Sequence, residues 1–219
     1  MNKLLIAFFL VFSNIIHAQE QIFPKTRPLA KEGPTKVLVS LYIIDIENID
    51  NKKQSFTADF IVRLRWKDPR LADVKRSIPI KSVWNPNTLI YNLRGDDETR
   101  FPEVVTILDS GLVEYKQRYY ANLGNSLDFS DFPFDKQTLT ISFVAFGFSP
   151  NEVEFIPEFE GKTEKFSISD WKIESIGFEV SEFQVNLFGN NAKKLVRPKI
   201  EYKFSSERFI QYYRWKILA

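Results

Sequence analysis

Three consecutive carboxylates, Asp96, Asp97 and Glu98, follow Gly95 in a stretch with turn character. Such a run reads as a solvated acidic turn; calcium is the weaker alternative, since hard cations take several oxygen ligands. The rest of the reactive inventory is thin. The chain has no Cys, one His and one Met. These are His17 and Met1, and both lie in an N-terminal segment that reads as a leader. Without them a chain cannot build a Ser-His-Asp triad, a thiol nucleophile or a His/Cys zinc site. Carboxylate, Tyr and Lys chemistry remain, and no cofactor is implied. Aromatic side chains are abundant, with 21 Phe, 8 Tyr and 4 Trp, and any single ring among so many is core by default.

What those residues do depends on the scaffold that presents them. The chain has 219 residues and a formal net charge of +2. It opens with a basic Lys3, an apolar run from Leu4 to Phe12 and a small residue at Ala18. This pattern predicts a secretory signal peptide over residues 1–18, since the run is too short for a comfortable membrane span. An uncleaved anchor is the alternative. Losing this segment removes a single charge and leaves a nearly neutral exported chain, with nothing that asks for nucleic acid. Without Cys, such a chain is held by its core and its partners rather than by disulfides.

Residues 19–35 are polar, contain Pro24, Pro28 and Pro34, and read as an irregular lead-in. Strand character begins after Lys36, with β-branched and aromatic residues over Val37 to Ile46. The clearest pattern follows a polar turn. Phe56, Ala58, Phe60, Val62, Leu64 and Trp66 alternate with Thr57, Asp59, Ile61, Arg63 and Arg65. A period of two with one apolar face predicts a half-buried strand. Further strands are expected over 88–93, 104–108, 112–121, 139–146, 153–156, 171–184 and 199–204. Many short strands without a long amphipathic helix predict an all-β sandwich or barrel. No Gly/Ser linker divides the chain, so one domain is expected over residues 36–213. The end, SSERFIQYYRWKILA, is aromatic and basic, then turns apolar. Membrane interfaces favour that composition, so residues 214–219 are expected to begin a first transmembrane helix that is cut short. A natural amphipathic tail is the alternative.

Several segments, in order, resemble one family, the pentameric ligand-gated ion channels of Cys-loop type, in their bacterial form. IENIDNKKQSFTADF with Trp66-Lys67-Asp68 resembles the family's first hairpin and second strand. Trp84-Asn85-Pro86-Asn87, then Tyr91-Asn92, is similar to the WxPD and tyrosine of binding loop A. ILDSGLVEYKQRY resembles its DG-x-V-x-Y-x-x-R strand pair, and Phe132-Pro133-Phe134-Asp135-Lys136-Gln137 its FPFDxQ loop. Arg208 followed by Tyr212-Tyr213 matches the end of the last strand before the membrane. There are two departures. The loop's Cys positions fall on Asn125 and Leu139, and the Asp of WxPD is Asn87.

The resemblance implies an immunoglobulin-like β-sandwich of about ten strands, the extracellular ligand-binding domain of a homopentamer. It implies a receptor rather than an enzyme, with this domain in the periplasm and a pore in the cell membrane. A small molecule, an amine or a carboxylate, would bind between subunits in a box of aromatic rings, whose faces attract organic cations. The resemblance assigns Tyr91, Phe146, Phe183 and Phe188 to the principal side, and Ile61 and Arg63 to the complementary side. Ile61 stands where many relatives carry a ring, and Arg63 adds a charge that could meet a carboxylate. Coupling to the pore is expected from Asp135 paired with Arg208, from the turn containing Asp50 and Lys52, and from Pro133, a candidate cis proline. A soluble periplasmic binding protein of the same fold is the alternative; about 20-residue apolar stretches downstream would mark a channel. A glycosidase would need two carboxylates facing one pocket, and no sequence feature points to such a pair.

Overall fold

The structure is a computed structural model that describes residues 23–185 and 194–209. Eleven strands form among them. They are β1 (Thr35–Asp50), β2 (Ser55–Lys67), β3 (Ser77–Pro79), β4 (Thr88–Ile90), β5 (Glu98–Thr99), β6 (Val104–Ile107), β7 (Leu112–Gly124), β8 (Lys136–Ala145), β9 (Val153–Lys162), β10 (Trp171–Val185) and β11 (Leu195–Arg208). Two sheets result. The larger runs β3-β6-β7-β2-β1-β9, with β5 beside β7, and the smaller runs β10-β11-β8-β4. Pairing is antiparallel throughout except between β1 and β9. Three short 3-10 turns are the helical content of the described residues, so no helix there is long and apolar enough to cross a membrane. This is the expected all-β sandwich.

Alternation decides where the core lies. The six apolar residues of β2 from Phe56 to Trp66 are all at most 4% exposed. They meet the small sheet edge-on: Phe56 stacks against Phe204 at 5.6 Å and Phe60 against Phe143 at 6.4 Å between ring centroids. Burying each such ring contributes about 1.5–3 kcal/mol. The intervening residues, Ile61, Arg63 and Arg65, point away from the core on the outer face of the large sheet.

β1, β7, β9 and β11 each run three or more residues further than expected, and in β9 and β11 the extension includes a proline. A proline cannot donate to a ladder, so Pro157 and Pro198 read as strand limits. β9 is an edge strand, where the missing N–H is tolerated, and a register shift follows Pro157. Pro198 lies one residue beyond the last pair between β11 and β8, Lys199 with Val144, and is paired only with β10. Residues 23–34 of the lead-in carry no strand but are held down. Arg70 donates to the Thr26 carbonyl at 2.8 Å, and Arg27 to the Gly33 carbonyl at 2.7 Å.

Candidate functional site

β4 stops at Ile90, three residues short of expectation, because Asn92 diverts the chain. Its Nδ2 donates to the carbonyls of Gly124 (2.9 Å) and Thr140 (2.8 Å), and its Oδ1 accepts from the Ser142 N–H (3.1 Å). One amide thereby ties the end of β7 in the large sheet to β8 in the small one. It also sets Tyr91 at the edge, where the Tyr91 N–H donates to the Ser142 carbonyl at 2.7 Å. Phe146 follows β8, and Phe183 is near the end of β10. The Phe183 ring lies 4.4 Å from Tyr91 and 6.2 Å from Phe146. Three rings assigned from separate segments thus meet on the outer face of the small sheet. Tyr91 and Phe146 are 48% and 43% exposed, and an exposed aromatic patch marks an interaction surface. Phe188 lies outside the described residues. Beside the rings, Lys199 pairs with Glu201 at 2.8 Å and Ser142 donates to the same carboxylate at 2.8 Å. Burial alone would raise the Glu201 carboxyl, but these hydrogen bonds outweigh it and hold it below the usual range.

The loop before β4 does not need the missing Asp. Asn87 adopts φ 45°, a left-handed conformation Asn tolerates, and its N–H donates to Asn85 Oδ1 at 3.0 Å.

Ile61 and Arg63 line a cavity of about 170 Å³ on the outer face of the large sheet, with Ser40, Tyr42, Lys116 and Phe159. Tyr42 and Phe159 are two rings the sequence reading missed. Tyr42 stands opposite Ile61 in the β1–β2 register, and alternation along β1 could have found it. Phe159 lies past Pro157, where the expected strand had ended. Both rings crowd Gly161: a Cβ there would lie 2.8 Å from the Tyr42 ring and 3.1 Å from Phe159. The aromatic surface absent at Ile61 is supplied by these neighbours. Arg63 is not the free charge it looked in sequence. Its Nη2 meets Glu158 at 3.2 Å and Ser40 Oγ at 3.1 Å, and Arg65 pairs with the same carboxylate.

A third cluster is buried. Arg208 Nε donates to Asp135 Oδ1 at 2.9 Å and Nη2 to Oδ2 at 3.2 Å, while Nη1 lies 3.7 Å from Asp170. The guanidinium sits 4.0 Å from the Trp171 ring centroid and 5.1 Å from that of Phe132. Burial pushes the Asp135 carboxyl up, but hydrogen bonds from Arg208 and Gln137 and the Arg208 charge win and hold it low. The Phe132–Pro133 peptide bond is cis, and Phe132 and Phe134 are exposed at the loop tip. Asn125 closes this loop by hydrogen bonds: its Nδ2 donates to the Thr138 carbonyl (2.9 Å) and its Oδ1 accepts from the Thr140 N–H (3.0 Å). Beside it, Asp50 Oδ1 accepts from the N–H groups of Lys52 and Lys53, both at 3.0 Å. Gln54 then joins this turn to the loop, its Oε1 accepting from the Leu127 N–H at 2.7 Å.

The acidic run Asp96, Asp97 and Glu98 does not form a metal-ligand group among the described residues. Glu98 enters β5, where extended backbone turns successive side chains apart, and it pairs with Arg100 at 3.5 Å. Asp97 instead lines a separate inner cavity of about 360 Å³ with Trp66, Glu103 and Tyr115.

A family model for the neurotransmitter-gated ion-channel ligand binding domain matches residues 17–210. The chain belongs to this family. A proton-gated ion channel of Gloeobacter violaceus is 30% identical over 175 residues, covering 75% of this chain and 47% of that protein. Gamma-aminobutyric acid receptor pi subunits of Rattus norvegicus and Mus musculus are each 27% identical over 138 residues, 59% of this chain and 31% of theirs. The chain spans less than half the length of these relatives, which are channels and receptor subunits rather than enzymes. Within the ligand-binding domain, the Tyr91 and Ile61 groups occupy the outer faces of different sheets, so they turn away from each other in one copy.

Proposed function

We propose that this ligand-binding domain takes up a small molecule between the subunits of a homopentamer and couples that event to a pore. Tyr91, Phe146 and Phe183, with Phe188, form the principal side. Ile61 and Arg63, joined by Tyr42 and Phe159, form the complementary side. The observation that carries this reading is the outward placement of the two groups on opposite sheets. Neither is a closed pocket alone, and a second copy can complete each. Asp135, Arg208, the Asp50–Lys52 turn and Pro133 relay the event toward the membrane. The domain stands in the periplasm after removal of a signal peptide over 1–18, as the ligand-binding part of a channel in the cell membrane.

Mixed assembly tests this. Full-length protein carrying Tyr91→Ala and full-length protein carrying Tyr42→Ala are expected to respond poorly as homomers to amine or carboxylate ligands. Co-expressed, they regenerate some interfaces with both sides intact. Partial recovery of ligand-evoked current supports a site between subunits; no recovery at any ratio rejects it.

A further inference from the structure

We infer that Arg197 makes this site a receptor for a small carboxylate, anchored from the same strand pair that carries the aromatic rings. The inference rests on the interface site proposed above and names what that site takes. Arg197 on β11 stands directly opposite Phe183 on β10. Directly paired residues share a face, with Cβ atoms about 4.5–5.5 Å apart, so Arg197 projects from the face that carries the ring cluster. Phe183 in turn contacts Tyr91 and lies near Phe146.

Arg197 forms no ion pair among the described residues. Its Nε is shut off from solvent and has no hydrogen-bond partner, while Nη1 donates to the Val196 carbonyl at 3.2 Å. An arginine cannot shed its proton, and an unsatisfied donor on a charged group is costly until an acceptor arrives. The acids nearby do not supply one. Glu152 registers the charge of Arg197 only weakly. It accepts from Ser149 N–H and Oγ, both at 2.8 Å, and those bonds are the main reason its carboxyl is held low. Glu201 is occupied by Lys199 and Ser142. Glu182 is exposed, and residues 186–193, NLFGNNAK, contain no acid.

An organic cation drawn to these rings would meet a guanidinium one ladder position away, and like charges repel. A carboxylate reverses that sign and accepts two parallel hydrogen bonds from the planar fork. The complementary side agrees, since Arg63 and Arg65 share the single carboxylate of Glu158 and leave surplus positive charge.

Three probes that share one ring and differ in charge test this: benzoate, benzamide and benzylammonium, titrated calorimetrically into the full-length protein. Benzoate is expected to bind in preference to the other two. Arg197→Gln should weaken benzoate at least tenfold and leave benzamide unchanged, with Arg197→Lys intermediate and all melting midpoints alike. Benzoate affinity unaltered by Arg197→Gln, a preference for benzylammonium, or no benzoate binding at millimolar concentration each overturns the inference. Tyr91→Ala separates the two levels. A ligand weakened by Tyr91→Ala but not by Arg197→Gln keeps the interface site and removes Arg197 from it; a ligand indifferent to both removes the site itself.

Discussion

Two arginines at opposite ends of β11 meet opposite surroundings. Arg208 is enclosed: its side chain is 8% exposed, two of its nitrogens lie on Asp135, a third faces Asp170, and Trp171 covers its plane. Arg197 is half-buried beside Phe183, with one backbone acceptor and no carboxylate among the described residues. The same side chain on the same strand is thus committed in one place and open in the other. A fully paired, stacked cation stabilises the structure and resists change. An open one beside exposed rings is available to something from outside. The difference separates the paired base of the domain from the face proposed to bind a ligand.

The largest test breaks the committed end. Asp135→Asn removes the carboxylate that two nitrogens of the buried Arg208 hold, and removing one partner of a buried pair costs about 3–5 kcal/mol. The unfolding free energy should fall by that amount, read as a lower denaturant midpoint at an unchanged slope. Arg197→Gln in the same assay should move it hardly at all. Equal shifts would erase the contrast between the two ends.

Acid probes the same pair with a smaller effect. Asp135 titrates below its ordinary 3.8 in the folded state. Its contribution is therefore complete above the unfolded value and is lost as pH falls through the lower folded one. Tryptophan fluorescence on acid titration should show stability declining below about pH 3.8. In Asp135→Asn that acid limb should flatten, and an unchanged limb would show that other carboxyls govern it.

Next comes the closure of the base loop. Asn125→Ala deletes two side-chain hydrogen bonds to β8 and should cost about 1–2 kcal/mol, read from the thermal midpoint. A negligible loss would mean that Gln54 and Gln137 close the loop without it. The smallest stability change is expected at the face proposed to bind a ligand. Phe183→Ala removes a half-exposed ring and should cost about 1 kcal/mol or less, while abolishing ligand-evoked response. A large loss of stability there would make the ring cluster core rather than site.

Much of this was legible beforehand, residue by residue. The alternation from Phe56 to Trp66 marked a buried face and put Ile61 and Arg63 outside. Tyr91, Phe146 and Phe183 were named from separate segments, and the fold brought their rings together. Tyr42 was overlooked because one tyrosine in a β-rich run looks like core. Phe159 lay beyond a proline that an edge strand accommodates. Asn125, read only as a lost cysteine, turned out to close the loop by hydrogen bonds.

By itself the sequence determined which chemistries are excluded, which face of β2 is buried and which residue types could form a box. Those are properties of single residues and of near neighbours along one strand. Tertiary structure alone decided which charges are committed. Glu158 reaches Arg63, and Asp135 reaches Arg208, across strands far apart in the chain. Ion pairing depends on distance in space, and periodicity along a strand carries no record of that distance.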